Sequence, residues 1–282
     1  MLEEKNRESQ IDALLFCTQT PDYRSPATAF VLHKRLGLNK DCICFDINLG
    51  CSAFVTGLYT MAGMVHGGLI NSGLLLIGDA FQDHPISDDH SQTMMFGDAG
   101  TAVLVEKGNG CITGMIRSDG EGYKNIIAPF HGFRKPVINN GKVVDFIEEV
   151  MDGNEVFLFT ITQVPKLFKE FFNFFNVTID SYDSVILHQA NKMVIDKIAK
   201  KLKVSKEKVP LSLDMYGNTN GVSIPVTICD AYGNDGTKRD VKFITSGFGV
   251  GMQQGVVAFD VNTENIYPII YSDDYYEEGF VI

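Results

Sequence analysis

Tryptophan is absent from this 282-residue chain, and so is any long apolar run. Aliphatic stretches such as Gly73–Ile77 end after a few residues, well short of the roughly 18 that a membrane span requires, which excludes a transmembrane reading. The opening ten residues, MLEEKNRESQ, lack the apolar core of a secretory signal, so the cytoplasm is the expected compartment and the Asn176-Val-Thr178 sequon has no expected role. Positive charge is scarce as well. Lys and Arg number 24 against 35 Asp and Glu, a net charge of −11, with no basic stripe interleaved with aromatics, so nucleic acid is a poor partner. Cysteine is present (Cys17, Cys42, Cys44, Cys51, Cys111 and Cys229), but no CxxC pair occurs. Histidine shows neither HExxH nor helical ligand spacing, and neither a metal site nor a disulfide framework is expected. What remains, 45% hydrophobic and 21% charged, is material for one large core or two fused ones.

Short β-branched or aliphatic runs alternate with segments of helical spacing, the pattern of an α/β protein. The spacing predicts strands at 12–17, 42–47, 73–78, 101–106, 111–117, 183–188, 241–246 and 255–260, and helices at 51–66, 154–175, 191–203 and 222–232. The segment from about 119 to 150 fits neither period and reads as an elaborated loop that covers a site. Ile11-Asp12-Ala-Leu-Leu-Phe-Cys-Thr-Gln echoes Tyr182-Asp183-Ser-Val-Ile-Leu-His-Gln-Ala as an acidic start, a strand and a polar end. In the first copy a helix, a strand and the Cys51 turn into a helix follow; in the second, a helix, a strand and the Asn218 turn. Two strands close each copy. The expectation is two duplicated α/β halves, residues 1–108 and 109–282, the second with a 119–150 insertion and a C-terminal extension. Only the second half carries a lead-in strand and helix, from Cys111, before its Asp183, and the first half is expected to lack that element.

Cys51 stands where a strand ends and an amphipathic helix begins, in Asp46-Ile-Asn-Leu-Gly-Cys-Ser-Ala-Phe54. A helix N-terminus supplies backbone N–H groups and partial positive charge that favour a thiolate nucleophile, and Gly50 permits the tight turn that presents it. A buried structural thiol is the ordinary alternative. His188 ends the Val185-Ile-Leu strand, where the sites of α/β sheets gather, although taken alone a satisfied strand-end histidine is the favoured reading. Asn218 precedes a helix and is otherwise a plain N-cap. The repeat raises all three together, because a pseudo-two-fold arrangement brings matching positions to one pocket. Gly247-Phe-Gly-Val-Gly251 precedes a predicted strand rather than a helix, which argues for a turn whose amides approach a substrate oxygen rather than a dinucleotide loop. Phe96-Gly-Asp-Ala-Gly100 reads as a structural turn. Lysines at 192, 197, 200, 201, 203, 206 and 208 form a solvated face or a docking patch for an acidic or phosphate-bearing partner.

Taken in order, Thr18-Gln-Thr-Pro-Asp-Tyr23, Asn48-Leu-Gly-Cys-Ser52, Phe96-Gly-Asp-Ala-Gly100, Met151-Asp-Gly-Asn-Glu-Val-Phe157, His188-Gln-Ala-Asn191, Gly217-Asn-Thr219 and Gly247–Gly251 make the chain resemble β-ketoacyl-acyl carrier protein synthase III, a thiolase-like condensing enzyme, from about Ile11 to Gly255. The resemblance implies the layered αβαβα thiolase fold and a catalytic set of Cys51, His188 and Asn218. It implies acylation of Cys51 by an acyl-coenzyme A, then decarboxylative condensation with a malonyl carrier protein. The Cys51 amide and an amide at Val250 would form the oxyanion hole; Gly153, Asn154, Phe157, Ala190 and Asn191 would line the pantetheine channel. A homodimer with the segment around Ser25 near the partner's acyl pocket is implied, and no metal or cofactor.

The sequence departs from the family in places. Met193 stands where a carrier-docking arginine is usual and Leu158 where a lysine is common, so Lys192 and Lys197 are the expected docking residues. Gln253-Gln254 replaces a polar-Trp pair, and Asn262–Ile282 extends past the usual end. The missing lead-in, read as a central strand of its sheet, leaves open a partner-dependent or non-catalytic subunit, and cysteine-dependent acyl transfer to an oxygen or nitrogen acceptor is the other alternative.

Overall fold

The structure, a computed structural model, describes residues 10–81, 96–128, 137–139, 141–144 and 150–273. One sheet holds β1 (Ala13–Cys17), β2 (Ile43–Ile47), β3 (Ser72–Asp79) and β4 (Ala99–Glu106) in the order β2-β1-β3-β4. A second holds β5 (Thr113–Ser118), β10 (Ser184–Leu187), β11 (Asp240–Gly249) and β12 (Gln253–Asn262) in the order β10-β11-β12-β5. Between β5 and β10 come β6 (Ile126–Ile127), which pairs β9 (Val150–Met151), and a small hairpin of β7 (Val137–Asn139) and β8 (Lys142–Val144). The helices are α1 (Thr28–Arg35), α2 (Ala53–His66), α3 (Gly153–Phe175), α4 (Lys192–Leu202), the short α5 (Leu213–Tyr216) and α6 (Ser223–Tyr232).

Strand alternation assigns the layers. Leu15, Leu75, Ile77, Ile186, Phe243 and Val257 point from the two sheets into a shared core with Phe54, Val55 and Leu58 of α2 and Ile224 and Ile228 of α6. The opposite side chains, Leu14 and Leu74 on one sheet and Val185, Leu187 and Ile244 on the other, face α1 and the α3–α4 pair respectively. The result is an αβαβα stack. The α3 helix starts where Asp152 accepts from the Asn154 and Glu155 amides and stops at Asn176, in the left-handed region at φ 53°. Among the described residues no helix is long and apolar enough to cross a membrane.

The repeat is visible in the pairing. β1 runs parallel to β3, which pairs antiparallel with β4; β10 runs parallel to β11, which pairs antiparallel with β12. All the strands and helices whose ranges were read from the spacing form. Two expectations need correction. The strand expected between α4 and Asn218 is absent among the described residues: Pro210 removes a ladder donor there, and a 3-10 turn at Lys206–Lys208 and α5 take its place. The lead-in strand is not central, because its second-half counterpart, β5, lies at the sheet's edge beyond β12. The matching place in the first sheet is the outer edge of β4, where no described strand pairs. The 119–150 segment contributes β6 to β9, with 129–136, 140 and 145–149 outside the described residues.

Candidate active site

Cys51 follows β2 in the turn that opens α2, where the Ala53 amide bonds the Gly50 carbonyl at 2.7 Å. Its thiol donates to Asn220 Oδ1 at 3.3 Å. The β11–β12 turn presses against the same residue. Gly249 adopts φ 157°, and a Cβ there would stand 2.7 Å from the Cys51 Cβ and 2.9 Å from its Sγ, so only glycine brings this turn so close. Val250 occupies its bend and Gln253 begins the returning strand. Gln253 Oε1 accepts from Ser52 Oγ at 2.7 Å and Thr56 Oγ1 at 2.9 Å, while its Nε2 donates to Ser118 Oγ at 3.2 Å, tying the start of α2 to β5.

His188 continues β10, its amide bonded to the Ser246 carbonyl, and the side chain is buried. Burial lowers its pKa to about 4, opposed by a main-chain hydrogen bond with Asn220, so the ring is neutral at pH 7. The Gln189 amide donates to Ser223 Oγ at 3.3 Å, and Ser223 Oγ lies 2.7 Å from His188 Nδ1. The satisfying arrangement has the Ser223 hydroxyl donating to Nδ1. That selects the tautomer with its proton on Nε2.

Asn218 is buried on the loop before α6. Its Oδ1 accepts from the Asn220 amide at 3.0 Å, and its carbonyl accepts from the Gly97 amide at 3.1 Å. The Phe96–Gly100 turn therefore holds the Asn218 loop, and a Cβ on Gly97 would collide with the Tyr216 carbonyl. On the other side, Tyr271 of the C-terminal extension stacks on Tyr216, whose hydroxyl donates to Asp230 at 2.9 Å.

Asn220 is the hub that the sequence reading did not single out. It meets the Cys51 thiol through Oδ1, the Asn218 side chain through its amide and the His188 ring through its main chain. Its Nδ2 donates to Asp79 Oδ2 at 2.8 Å and Gln19 Oε1 at 3.2 Å. Asp79 ends β3 and is buried; its Oδ1 accepts from the Gln19 amide at 2.7 Å and Thr18 Oγ1 at 3.2 Å. Burial pushes its pKa up to about 6 against the pull of those hydrogen bonds. The available signals were Asp79 at a strand end and Gln19 and Asn220 inside segments already marked by the repeat.

The remaining expected residues lie at the outer end of the second half. Gly153 and Asn154 form the first turn of α3, and half-buried Phe157 and Ala190 pack against the core beneath α3 and α4. Asn191 Oδ1 accepts from the Val194 amide at 2.9 Å, an N-cap for α4. Lys192, Met193, Asp196, Lys197 and Lys200 line an open depression of about 500 Å³, and Lys197 Nζ stands 5.8 Å from the Phe157 ring centre.

Residues 45–120 match the family described as 3-oxoacyl-[acyl-carrier-protein] synthase III, and residues 173–261 match its C-terminal counterpart. The β-ketoacyl-[acyl-carrier-protein] synthase III of Nostoc sp. is 32% identical over 255 residues, which cover 89% of this chain and 77% of that protein. The chloroplastic synthase III B of Cuphea wrightii is also 32% identical; the chain spans 64% of its length. The crystal structure of a 3-oxoacyl-(acyl-carrier protein) synthase from Burkholderia xenovorans LB400 superposes with a TM-score of 0.86 at 35% identity, over 95% of this chain and 78% of that one. With this fold and these relatives, the chain belongs to the 3-oxoacyl-[acyl-carrier-protein] synthase III family of thiolase-like, acyl-transferring condensing enzymes.

Proposed function

We propose that this chain condenses a coenzyme A-borne acyl group with a malonyl-acyl carrier protein, with Cys51, His188 and Asn218 as the reacting set. The observation that carries this reading is the convergence of all three on Asn220, from elements far apart in the chain. In the first step the Cys51 sulfur attacks the acyl thioester, the carbonyl oxygen takes up charge beneath the Cys51 and Val250 amides, and coenzyme A leaves. The approach of the Gly249 turn to Cys51 supports that role for the Val250 amide. In the second step the malonyl thioester loses carbon dioxide, and its enolate oxygen accepts from His188 Nε2 and the Asn218 side-chain amide. The carbanion attacks the acyl group on Cys51, the carbon–sulfur bond breaks to release the 3-oxoacyl carrier, and the Cys51 thiolate takes a proton from solvent to regenerate the thiol. A neutral His188 with its proton on Nε2 suits this donor role better than a general-base role.

Gly153, Asn154, Phe157, Ala190 and Asn191 form the pantetheine path, and Lys192 and Lys197 at the rim of the depression dock the acidic carrier. The two halves are residues 1–108 and 109–282. The homodimer forms through β2, an edge strand with Ile43 and Phe45 exposed at 44% and 37%, which places the Ser25 segment beside the partner.

The test is intact-mass measurement after incubation with a panel of short acyl-coenzyme A donors, followed by malonyl-carrier-dependent release of carbon dioxide. One acyl adduct that disappears in Cys51→Ala, and carbon dioxide release that requires malonyl carrier, are expected. An adduct discharged to an alcohol or amine without carbon dioxide release would replace condensation by simple transfer. No adduct on a folded chain would refute the assignment of Cys51.

A further inference from the structure

Cys42 and Cys44, separated by one residue at the start of β2, project to the same side of the strand, toward α1. His33, in the last turn of α1, joins them: a ring nitrogen of His33 and the two sulfurs all lie within 4.8 Å of one another. All three residues are half-buried, and none takes part in the chemistry proposed for Cys51, which lies beyond the opposite end of β2 on the inner side of the sheet.

Two features suit this group to sharing an ion, although the two thiols also meet in a hydrogen bond. The sulfurs are 3.9 Å apart, far beyond the roughly 2.05 Å of a disulfide. Two thiolates sharing a tetrahedral zinc ion at about 2.3 Å stand about 3.8 Å apart. His33 Nε2 lies 2.9 Å from the Asn39 carbonyl. A carbonyl only accepts, so the neutral ring carries its proton on Nε2 and its lone pair on Nδ1. Anchoring one ring nitrogen on a backbone carbonyl is how proteins orient a metal-binding imidazole. The same carbonyl accepts from the Cys42 amide at 3.0 Å, so one peptide group fixes both the α1 end and the β2 start.

We propose that His33, Cys42 and Cys44 bind a zinc-class divalent cation, with a water molecule in the fourth tetrahedral position. A two-sulfur, one-nitrogen donor set selects a borderline-soft ion over magnesium or calcium. Binding exchanges two thiol protons for two sulfur–metal bonds; both protons go to solvent and no electron is transferred. The ion pins α1 to β2, the edge strand of the first sheet.

Cobalt(II) is the probe, added to the reduced, chelator-treated full chain. One equivalent should give thiolate charge-transfer and tetrahedral visible bands that zinc abolishes by competition, and zinc should raise the thermal midpoint. The Cys42→Ser/Cys44→Ser double variant should lose the bands and the midpoint shift while Cys51 still acylates, which shows that the variant folds. Cys51→Ala should keep both, and His33→Gln should weaken cobalt binding by at least about tenfold. Absence of thiolate bands in the folded wild type, unchanged cobalt binding in the double variant, or bands lost in Cys51→Ala would overturn the proposal.

Discussion

The two sheets enclose the same central layer yet are covered very differently on their outer faces. The second lies under the 23-residue α3 and the 11-residue α4, which bury Val164, Leu167, Phe168, Phe171, Val194, Ile195 and Ile198. Among the described residues the first is covered by the 8-residue α1, which buries only Thr28 and Ala29, and Phe16, Leu76 and Leu104 on that face are half-buried. The central layer does not share this asymmetry: α2 and α6 are both deeply buried, and Cys51 and Asn218 sit on the turns that lead into them. The groups proposed to react hang from the inner helices and strand ends, not from the outer layers.

The comparison breaks most visibly in stability. Phe168→Ala empties a fully buried position and should cost about 3–5 kcal/mol. Leu104→Ala, on the thin side, should cost about 1 kcal/mol, in keeping with its partial burial. Denaturant unfolding of both variants measures the difference, and equal losses would mean that the first sheet is covered as well as the second. A smaller effect separates the two halves of the site. Ser223→Ala removes the hydroxyl that holds the His188 tautomer, with an expected cost of about 2 kcal/mol in malonyl decarboxylation. Acylation of Cys51 should be unchanged. Parallel measurement of carbon dioxide release and acyl-adduct formation tests the split, and an equal fall in both would assign Ser223 a purely structural role.

Much of this was legible locally. β1, β3 and β10 are short aliphatic runs, α3 shows its apolar face at three- and four-residue steps, and the repeat aligned the Cys51 and Asn218 turns. What stayed hidden depends on distance along the chain. Asn220 meets Asp79 across 141 residues and Cys51 across 169, and no local pattern announces such contacts. The expected strand before Asn218 rested on apolar residues whose backbone Pro210 withdraws from a ladder. The His33–Cys42–Cys44 group shows no CxxC spacing, because a strand brings alternate residues to one face and the fold supplies the histidine from α1.

The subtlest contrast is between the partners of two groups proposed to react: Ser223 meets His188 through a hydroxyl, and Asp79 reaches Cys51 through the Asn220 amide. Asp79 Oδ2 engages the Asn220 Nδ2, which turns the Asn220 oxygen toward Cys51, where it accepts from the thiol and favours the protonated form. In Asp79→Asn the side-chain oxygen stays with the Gln19 amide and Thr18 hydroxyl, leaving an NH2 group against the Asn220 NH2 group. Two facing donors repel, so the Asn220 amide turns over together with that of Gln19, whose oxygen had accepted from it, and presents Nδ2–H to the sulfur, favouring thiolate, while a buried negative charge disappears. The pH profile for alkylation of Cys51 by iodoacetamide should move about one unit lower, about 1.4 kcal/mol. Stability changes with its own sign. Because the folded pKa of Asp79 is raised from 3.8 to about 6, the contribution of its neutral form is complete below pH 3.8 and is lost as pH rises through 6. Asp79→Asn should therefore flatten the stability profile across that window. An alkylation profile that stays in place while the stability profile flattens would mean that Asp79 titrates as described but does not orient Asn220, leaving the thiol of the first half untuned by its own sheet.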